Sequence, residues 1–158
     1  MKEAILFCYG SGGHKAQMER LGVGMNLINC KQVIVTLSDD VNKFDWSDKH
    51  YISGELRDKY SHFNVFFNKG PLSILYQLYL IKKEYKITSI VSTGPGVSLV
   101  ASLFYKMFNV KIVHIETWSR FKTKSLTGRI AYLIADKFYI QNESLKSCYP
   151  KAIYSGRL

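Results

Sequence analysis

The chain has 158 residues, enough for one domain with a full core and too few for two large ones. A hydrophobic content of 47% excludes wholesale disorder, and an excess of 22 Lys and Arg over 12 Asp and Glu leaves a net charge of +10. That charge points to an anionic partner (nucleic acid, a phospholipid surface or a phosphorylated substrate), and three widely spaced cysteines without a CxxC pair exclude a disulfide frame or zinc site.

The N-terminus runs directly into a strand-like segment and resembles no signal peptide. Residues 4–9 form a short apolar run containing Cys8, a core position in a chain whose cysteines fit reduced, cytoplasmic thiols. Gly10-Ser11-Gly12-Gly13-His14 follows at once. From Gln17 the pattern turns helical through Met18, Leu21, Met25 and Ile28, and Gly22 and Gly24 suit close packing against a sheet. Residues 32–37 read as a second buried strand, closed by Ser38-Asp39-Asp40. Strand, glycine turn, helix and strand in succession predict a parallel sheet with helices on its faces.

Residues 39–61 lack a period and read as loop, with a short strand near Tyr51-Ile52. Residues 62–67 read as a strand, and Asn68-Lys69-Gly70-Pro71 opens a helix to about Lys86. Its members Leu72, Ile74, Leu75, Tyr76, Leu78, Tyr79, Leu80 and Ile81 leave almost no polar face, and Lys69, Lys82, Lys83 and Lys86 flank them. Two readings stay open: a buried core helix, or a membrane-surface helix whose lysines meet anionic headgroups.

Ile90-Val91-Ser92-Thr93 runs as a strand into Gly94-Pro95-Gly96 and then an apolar segment of helical length. Glycines permit close backbone approach, and a helix N-terminus offers N–H groups and a positive dipole end to phosphate or carboxylate. A plain chain reversal is the alternative. Residues 97–108 are apolar nearly all round, which predicts a buried helix. Residues 110–115 form the next strand, followed by Glu116 and a basic, aromatic segment with Trp118, Arg120, Phe121, Lys122 and Lys124. Leu126, Ile130, Leu133 and Ile134 mark another helix. Residues 137–140 and 152–154 read as short strands with a helical piece between them. No run reaches the roughly 18–20 apolar residues of a spanning helix.

Three features then fall at carboxyl ends of strands, where open α/β sheets bind ligands: residues 10–14, 92–96 and 116–120. The first lacks the third glycine of a dinucleotide fingerprint, because Lys15 stands there, and no P-loop Gly-Lys-Ser/Thr follows. His14 suits a general base near neutral pH, or a phosphate contact or helix cap instead. Glu116 either orients a ligand hydroxyl or bonds the loop backbone. His50 and His62 have no partner at metal spacing, no paired acidic motif marks a metal site, and nothing calls for a cofactor.

Gly10-Ser11-Gly12-Gly13-His14, Ser92-Thr93-Gly94-Pro95-Gly96, Ile115-Glu116, Ser125-Leu126-Thr127-Gly128-Arg129 and the ending from Tyr149 to Leu158 together resemble the PssD- and CpsF-type capsule and exopolysaccharide proteins. They also resemble the eukaryotic subunit that recruits the second N-acetylglucosaminyltransferase of dolichol-linked glycan assembly. More distantly, the glycine loops and His114-x-Glu116 are similar to the N-terminal half of MurG. The resemblance implies a Rossmann-like GT-B acceptor domain spanning 1–158, one half of a two-chain inverting glycosyltransferase. It implies a donor-binding partner subunit of PssE or CpsG type that holds the UDP-sugar, and an undecaprenyl-diphosphate-linked saccharide as acceptor. It also implies a peripheral place on the cytoplasmic face of the plasma membrane, since the membrane helix of the eukaryotic relatives is missing from this sequence.

On that reading the acceptor diphosphate would meet Gly10, Ser11, Gly12, Gly13, Thr93, Gly94, Gly96, Arg120 and Lys122. His14 would be the base and Glu116 would orient a ligand. Leu72, Leu75, Tyr76 and Tyr79, with Lys69, Lys82 and Lys83, would meet the membrane. Two other classes compete: a stand-alone nucleotide-binding enzyme, against which Lys15 speaks, and a basic nucleic-acid-binding protein, although the basic residues form no recognised reader and no nucleic-acid partner is expected.

Overall fold

A computed structural model describes residues 1–25, 31–54 and 70–158. Seven parallel strands form one sheet in the order β3-β2-β1-β4-β5-β6-β7. They are β1 (Lys2–Tyr9), β2 (Val33–Ser38), β3 (Lys49–Ile52), β4 (Tyr85–Gly94), β5 (Lys111–Ile115), β6 (Lys137–Ile140) and β7 (Ile153–Tyr154). The helices are α1 (Gly13–Met25), α2 (Gly70–Glu84), α3 (Gly96–Lys106) and α4 (Leu126–Ile134), with a 3₁₀ turn at Glu143–Ser147.

The winding reverses between β1 and β4. From β1 the chain steps outward through α1 to β2, and from β4 it steps the other way through α3, β5, α4 and β6. Right-handed crossovers therefore put α1 on one face and α2, α3 and α4 side by side on the other. Strand alternation feeds both layers. Ala4, Leu6 and Cys8 pack with Ile74, Leu78, Ile81, Ala101 and Tyr105, while Phe7 and Tyr9 pack with Met18 and Phe44. Burial of side chains such as Ile74, Leu78 and Ile81 contributes about 1.5–3 kcal/mol each. Over β5 and β6 the α1 side carries no helix among the described residues. There Val113, Ile115 and Tyr139 line an apolar cavity of about 330 Å³ with Phe7, Val91 and residues 155–158.

Several expectations shift. Helix α1 starts at Gly13, not Gln17, so His14 lies in its first turn. Gly22 does pack closely, but against the Trp46 indole, where a Cβ would lie 2.0 Å from Nε1, and Gly24 has open space around it. Helix α2 ends at Glu84, and β4 starts directly at Tyr85. The apolar residues of α2 split between two environments. Ile74, Leu78 and Ile81 are buried, while Leu72, Leu75, Tyr76 and Tyr79 are exposed.

Helix α3 is not buried all round, since Leu103 is exposed, as are Met107 and Phe108 just beyond its end. In α4 the buried face is small, Gly128 and Ala131, and of the residues that signalled the helix, Leu126, Ile130, Leu133 and Ile134, the first three face outward while Ile134 is half-buried. The helix is real, but its apolar stripe is not its core stripe. The expected strand at 62–67, with Lys69, His62, Ile28 and Cys30, lies outside the described residues. No described helix is long and apolar enough to cross a membrane.

Candidate functional site

The reversal of winding between β1 and β4 opens a crevice at their carboxyl ends, where Tyr9 pairs with Gly94. Both glycine turns leave the sheet here and approach closely. Gly10 N–H donates to Gly94 O at 3.0 Å, and a Cβ on Gly10 would lie 2.3 Å from Pro95 Cδ. Gly12 and Gly94 take positive φ values of 72° and 86°, which L side chains adopt at a cost. Ser11 N–H is occupied by the Asp39 carboxylate at 2.6 Å. The N–H groups that α1 leaves unpaired at Gly13 and His14, and that α3 leaves at Gly96 and Val97, mark the two helix ends of the crevice.

His14 reaches across from α1 to β4. Its Nδ1 lies 2.6 Å from the Thr93 carbonyl oxygen, and Thr93 Oγ1–H donates to His14 O at 3.1 Å. A carbonyl only accepts, so Nδ1 carries the hydrogen and the neutral ring presents the Nε2 lone pair. Burial pushes the His14 pKa below its usual value, partly offset by the Thr93 carbonyl and by the negative charges of Glu116 and Asp39. At pH 7 the imidazole is therefore a neutral base.

Glu116 directly follows β5 and is 2% exposed. Its carboxylate accepts from Thr117 N–H at 3.0 Å, Ser125 Oγ–H at 2.9 Å and Tyr149 Oη–H at 2.7 Å. Ser125 in turn caps α4, accepting from Gly128 N–H at 2.7 Å. Gly128 leaves room for this arrangement, since a Cβ there would lie 1.8 Å from Glu116 Oε2. Of the two sequence readings of Glu116, bonding the loop is the one its contacts display. Burial, and then the hydrogen bond and charge of this carboxylate, raise the phenol pKa of Tyr149.

A polar pocket of about 170 Å³ gathers His14, Thr93, Gly94, His114, Glu116 and Arg120. Arg120 therefore joins Thr93 and Gly94 of the second glycine turn, whereas Lys122 stays on the exposed loop; Gly10, Ser11, Gly12, Gly13 and Gly96 also lie outside the pocket lining. Lys82 and Lys83 stand at the far end of α2, over the Phe108 and Tyr79 rings at 4.1 and 5.2 Å. Sequence reasoning passed over His114 as a site residue. It is 2% exposed, bonds Ser92 Oγ through Nδ1 at 2.9 Å, and has its pKa lowered to about 4 by burial. Its position as the last histidine of a strand, one residue before the carboxyl end, was the available signal. His50 is structural, between Thr36 Oγ1 at 2.8 Å and Asp40 O at 2.9 Å.

The model of the family described as "Oligosaccharide biosynthesis protein Alg14 like" matches residues 5–158. The chain belongs to this Alg14-like family. It is 32% identical to the UDP-N-acetylglucosamine transferase subunit ALG14 of Kluyveromyces lactis over 189 residues, covering 100% of this chain and 80% of the relative. It is 36% identical to the Schizosaccharomyces pombe subunit of the same name over 179 residues, covering 96% and 81%. Among solved structures it is similar to Acinetobacter baumannii MurG, with a TM-score of 0.63, 13% identity, and coverage of 99% of this chain and 44% of that one. The fold is that of a GT-B glycosyltransferase N-terminal domain, and the chain spans less than half the length of MurG. The family membership makes it a glycosyltransferase subunit of the Alg14 type.

Proposed function

We propose that this chain is the acceptor-binding, membrane-surface subunit of a two-chain inverting glycosyltransferase. A donor-binding partner chain of PssE or CpsG type would hold the UDP-sugar, and the acceptor would be an undecaprenyl-diphosphate-linked saccharide of capsule or exopolysaccharide synthesis. The carrying observation is the pocket shared by His14, Thr93, Gly94 and Arg120, beside which the first glycine turn bonds the second through Gly10 N–H, in a chain of the Alg14-like family.

In this reading the helix N-termini at Gly13 and Gly96, with Arg120, receive the acceptor diphosphate. His14 Nε2 takes the proton of the attacking acceptor hydroxyl, whose oxygen bonds the anomeric carbon as the UDP oxygen leaves from the opposite face. The anomeric configuration is thereby inverted. Glu116 holds the loop and the α4 N-terminus that frame the pocket. Proximity between acceptor and donor supplies much of the rate, so transfer requires both chains. No step calls for a cofactor.

Peripheral attachment to the cytoplasmic face of the plasma membrane is supported by the exposed Leu72, Leu75, Tyr76 and Tyr79 of α2 and by Lys82 and Lys83 at its end. Exposed Leu126, Ile130 and Leu133 extend apolar surface along α4 in the same helix layer.

The test is to purify the chain alone and with its partner, then assay UDP-sugars on a lipid-linked acceptor. Turnover is expected only from the pair, and loss of turnover with retained acceptor affinity in His14→Ala supports the base. Steady turnover by the single polypeptide would sink the half-enzyme reading.

A further inference from the structure

The segment 155–158 is tied to residues 116–121 through three side chains that touch both, Gln141, Asn142 and Arg20, and by one direct contact of Arg157 with Phe121. Leu158 N–H donates to Gln141 Oε1 at 3.0 Å, and Gln141 Nε2 donates to Glu116 O at 2.9 Å and to Gln17 Oε1 at 3.3 Å. Gln17 Nε2 continues to Thr117 Oγ1 at 3.3 Å. Arg157 Nη2 donates to Asn142 Oδ1 at 3.1 Å, while Asn142 Nδ2 donates to the carbonyls of Trp118, at 2.8 Å, and Arg120. Arg20 Nη1 donates to Leu158 O at 2.9 Å, and its guanidinium lies 4.8 Å from the Trp118 ring centre. Arg157 also stands over Phe121 at 5.5 Å.

Each amide is used on both sides, carbonyl to the tail and NH₂ to the loop, so neither can turn over without losing bonds to both. Gln17 and Gln141 are 0% and 3% exposed, which makes a broken link costly because no water replaces it.

We propose that Gln141, Asn142 and Arg20 are positioning residues that make the placement of residues 116–120, and with it the anion affinity of the Arg120 pocket, depend on residues 155–158. They act through the loop and touch no reacting atom. The inference rests on the proposed acceptor role of that pocket for its functional meaning, and it deepens that reading. A partner chain that clamps 155–158 thereby firms the acceptor site, so acceptor binding is tightened where the second subunit is present.

The chain has two tryptophans, Trp46 and Trp118. Labelling with 5-fluorotryptophan gives one fluorine signal for the loop and one for Trp46, which none of the bridging hydrogen bonds reaches. In the full chain, Arg157→Ala and Asn142→Asp are expected to move the Trp118 signal and leave that of Trp46 in place, and Arg157→Lys to restore it in part. Asn142→Asp keeps an acceptor for Arg157 but removes the donor to the loop, which separates the two halves of the link. Inorganic pyrophosphate, titrated against the same signal, should bind roughly tenfold more weakly to both variants, the loss of about one charge-assisted or well-placed hydrogen bond. An unmoved Trp118 signal, or equal movement of both signals, overturns the proposal. If wild-type chain binds no pyrophosphate, the acceptor-site reading fails instead, and the fluorine shifts alone still decide whether the tail positions the loop.

Discussion

At the residue scale, the pocket is built by side chains that hold one another rather than by isolated catalytic groups. Glu116 accepts three hydrogen bonds while nearly wholly buried, so its value lies in fixing Ser125, Tyr149 and the turn at Thr117. Gly128→Ala tests this: the added methyl must displace the Glu116 carboxylate or the Tyr149 hydroxyl. A loss of about 1–3 kcal/mol in urea unfolding is expected, with loss of transfer in the two-chain enzyme. His114 offers a pH test. Its folded pKa of about 4 lies below the usual 6.5, so the unfolded chain binds a proton that the native chain refuses. Stability is full above about pH 6.5 and falls as pH drops toward 4, by up to roughly 3 kcal/mol from this group. Denaturant midpoints between pH 7 and 4.5 should be flatter in His114→Gln than in the parent; an equal slope would assign the acid sensitivity elsewhere.

At the element scale, α2 divides its apolar residues between a core stripe and an outer one. Ile74, Leu78 and Ile81 repeat at three- and four-residue steps beneath the sheet, and Leu72, Leu75, Tyr76 and Tyr79 occupy the opposite side. Leu75→Ser with Tyr79→Ser should leave the melting temperature within a degree or two, because exposed positions contribute about 0.5 kcal/mol or less. The same pair should weaken sedimentation with anionic liposomes by roughly tenfold or more, since each insertion contributes on the order of 1.5 kcal/mol, and wild-type binding should fall as salt rises. A large drop in melting temperature with undiminished lipid binding would return the outer stripe to a folding role. Sequence periodicity could not separate these faces, because a helix apolar on both sides has no polar stripe to orient it. In α4 the same blindness had the opposite result. The Leu126, Ile130 and Leu133 stripe was read correctly as helix, yet packing chose Gly128 and Ala131 for the core, because the Glu116 carboxylate and Tyr149 hydroxyl require a small residue beside them.

At the scale of the whole molecule, the sheet is covered unevenly. Among the described residues, three helices line one face, and on the other, beyond α1, residues 155–158 lie across an apolar cavity of about 330 Å³. Apolar sheet with no described helix over it suits a contact with a second chain. Deleting residues 155–158 should weaken association with the donor-binding subunit at least tenfold while liposome binding stays within about twofold, because the tail and α2 lie on opposite faces of the sheet. Paired pull-down and flotation assays read both quantities, and equal losses in the two would mean that the deletion harms the fold.

Local chemistry along the chain was enough to establish the α/β order, the two glycine turns and the strand-end location of His14 and Glu116. Strands of β-branched and apolar residues closing on Gly-rich turns can hardly be arranged otherwise in a parallel sheet. Which atoms then face one another was decided by tertiary structure. The tautomer of His14 depends on a Thr93 carbonyl 79 positions away, and the role of Glu116 on a tyrosine 33 positions away. Lys122 and Arg120 are two residues apart on one basic loop, yet only Arg120 enters the pocket, because Asn142 grips the backbone at Trp118 and Arg120. A spacing in sequence limits which residues can share an end of the sheet. The direction of a side chain within that end is set by hydrogen bonds between distant segments, and these exist only once the sheet has brought the segments together.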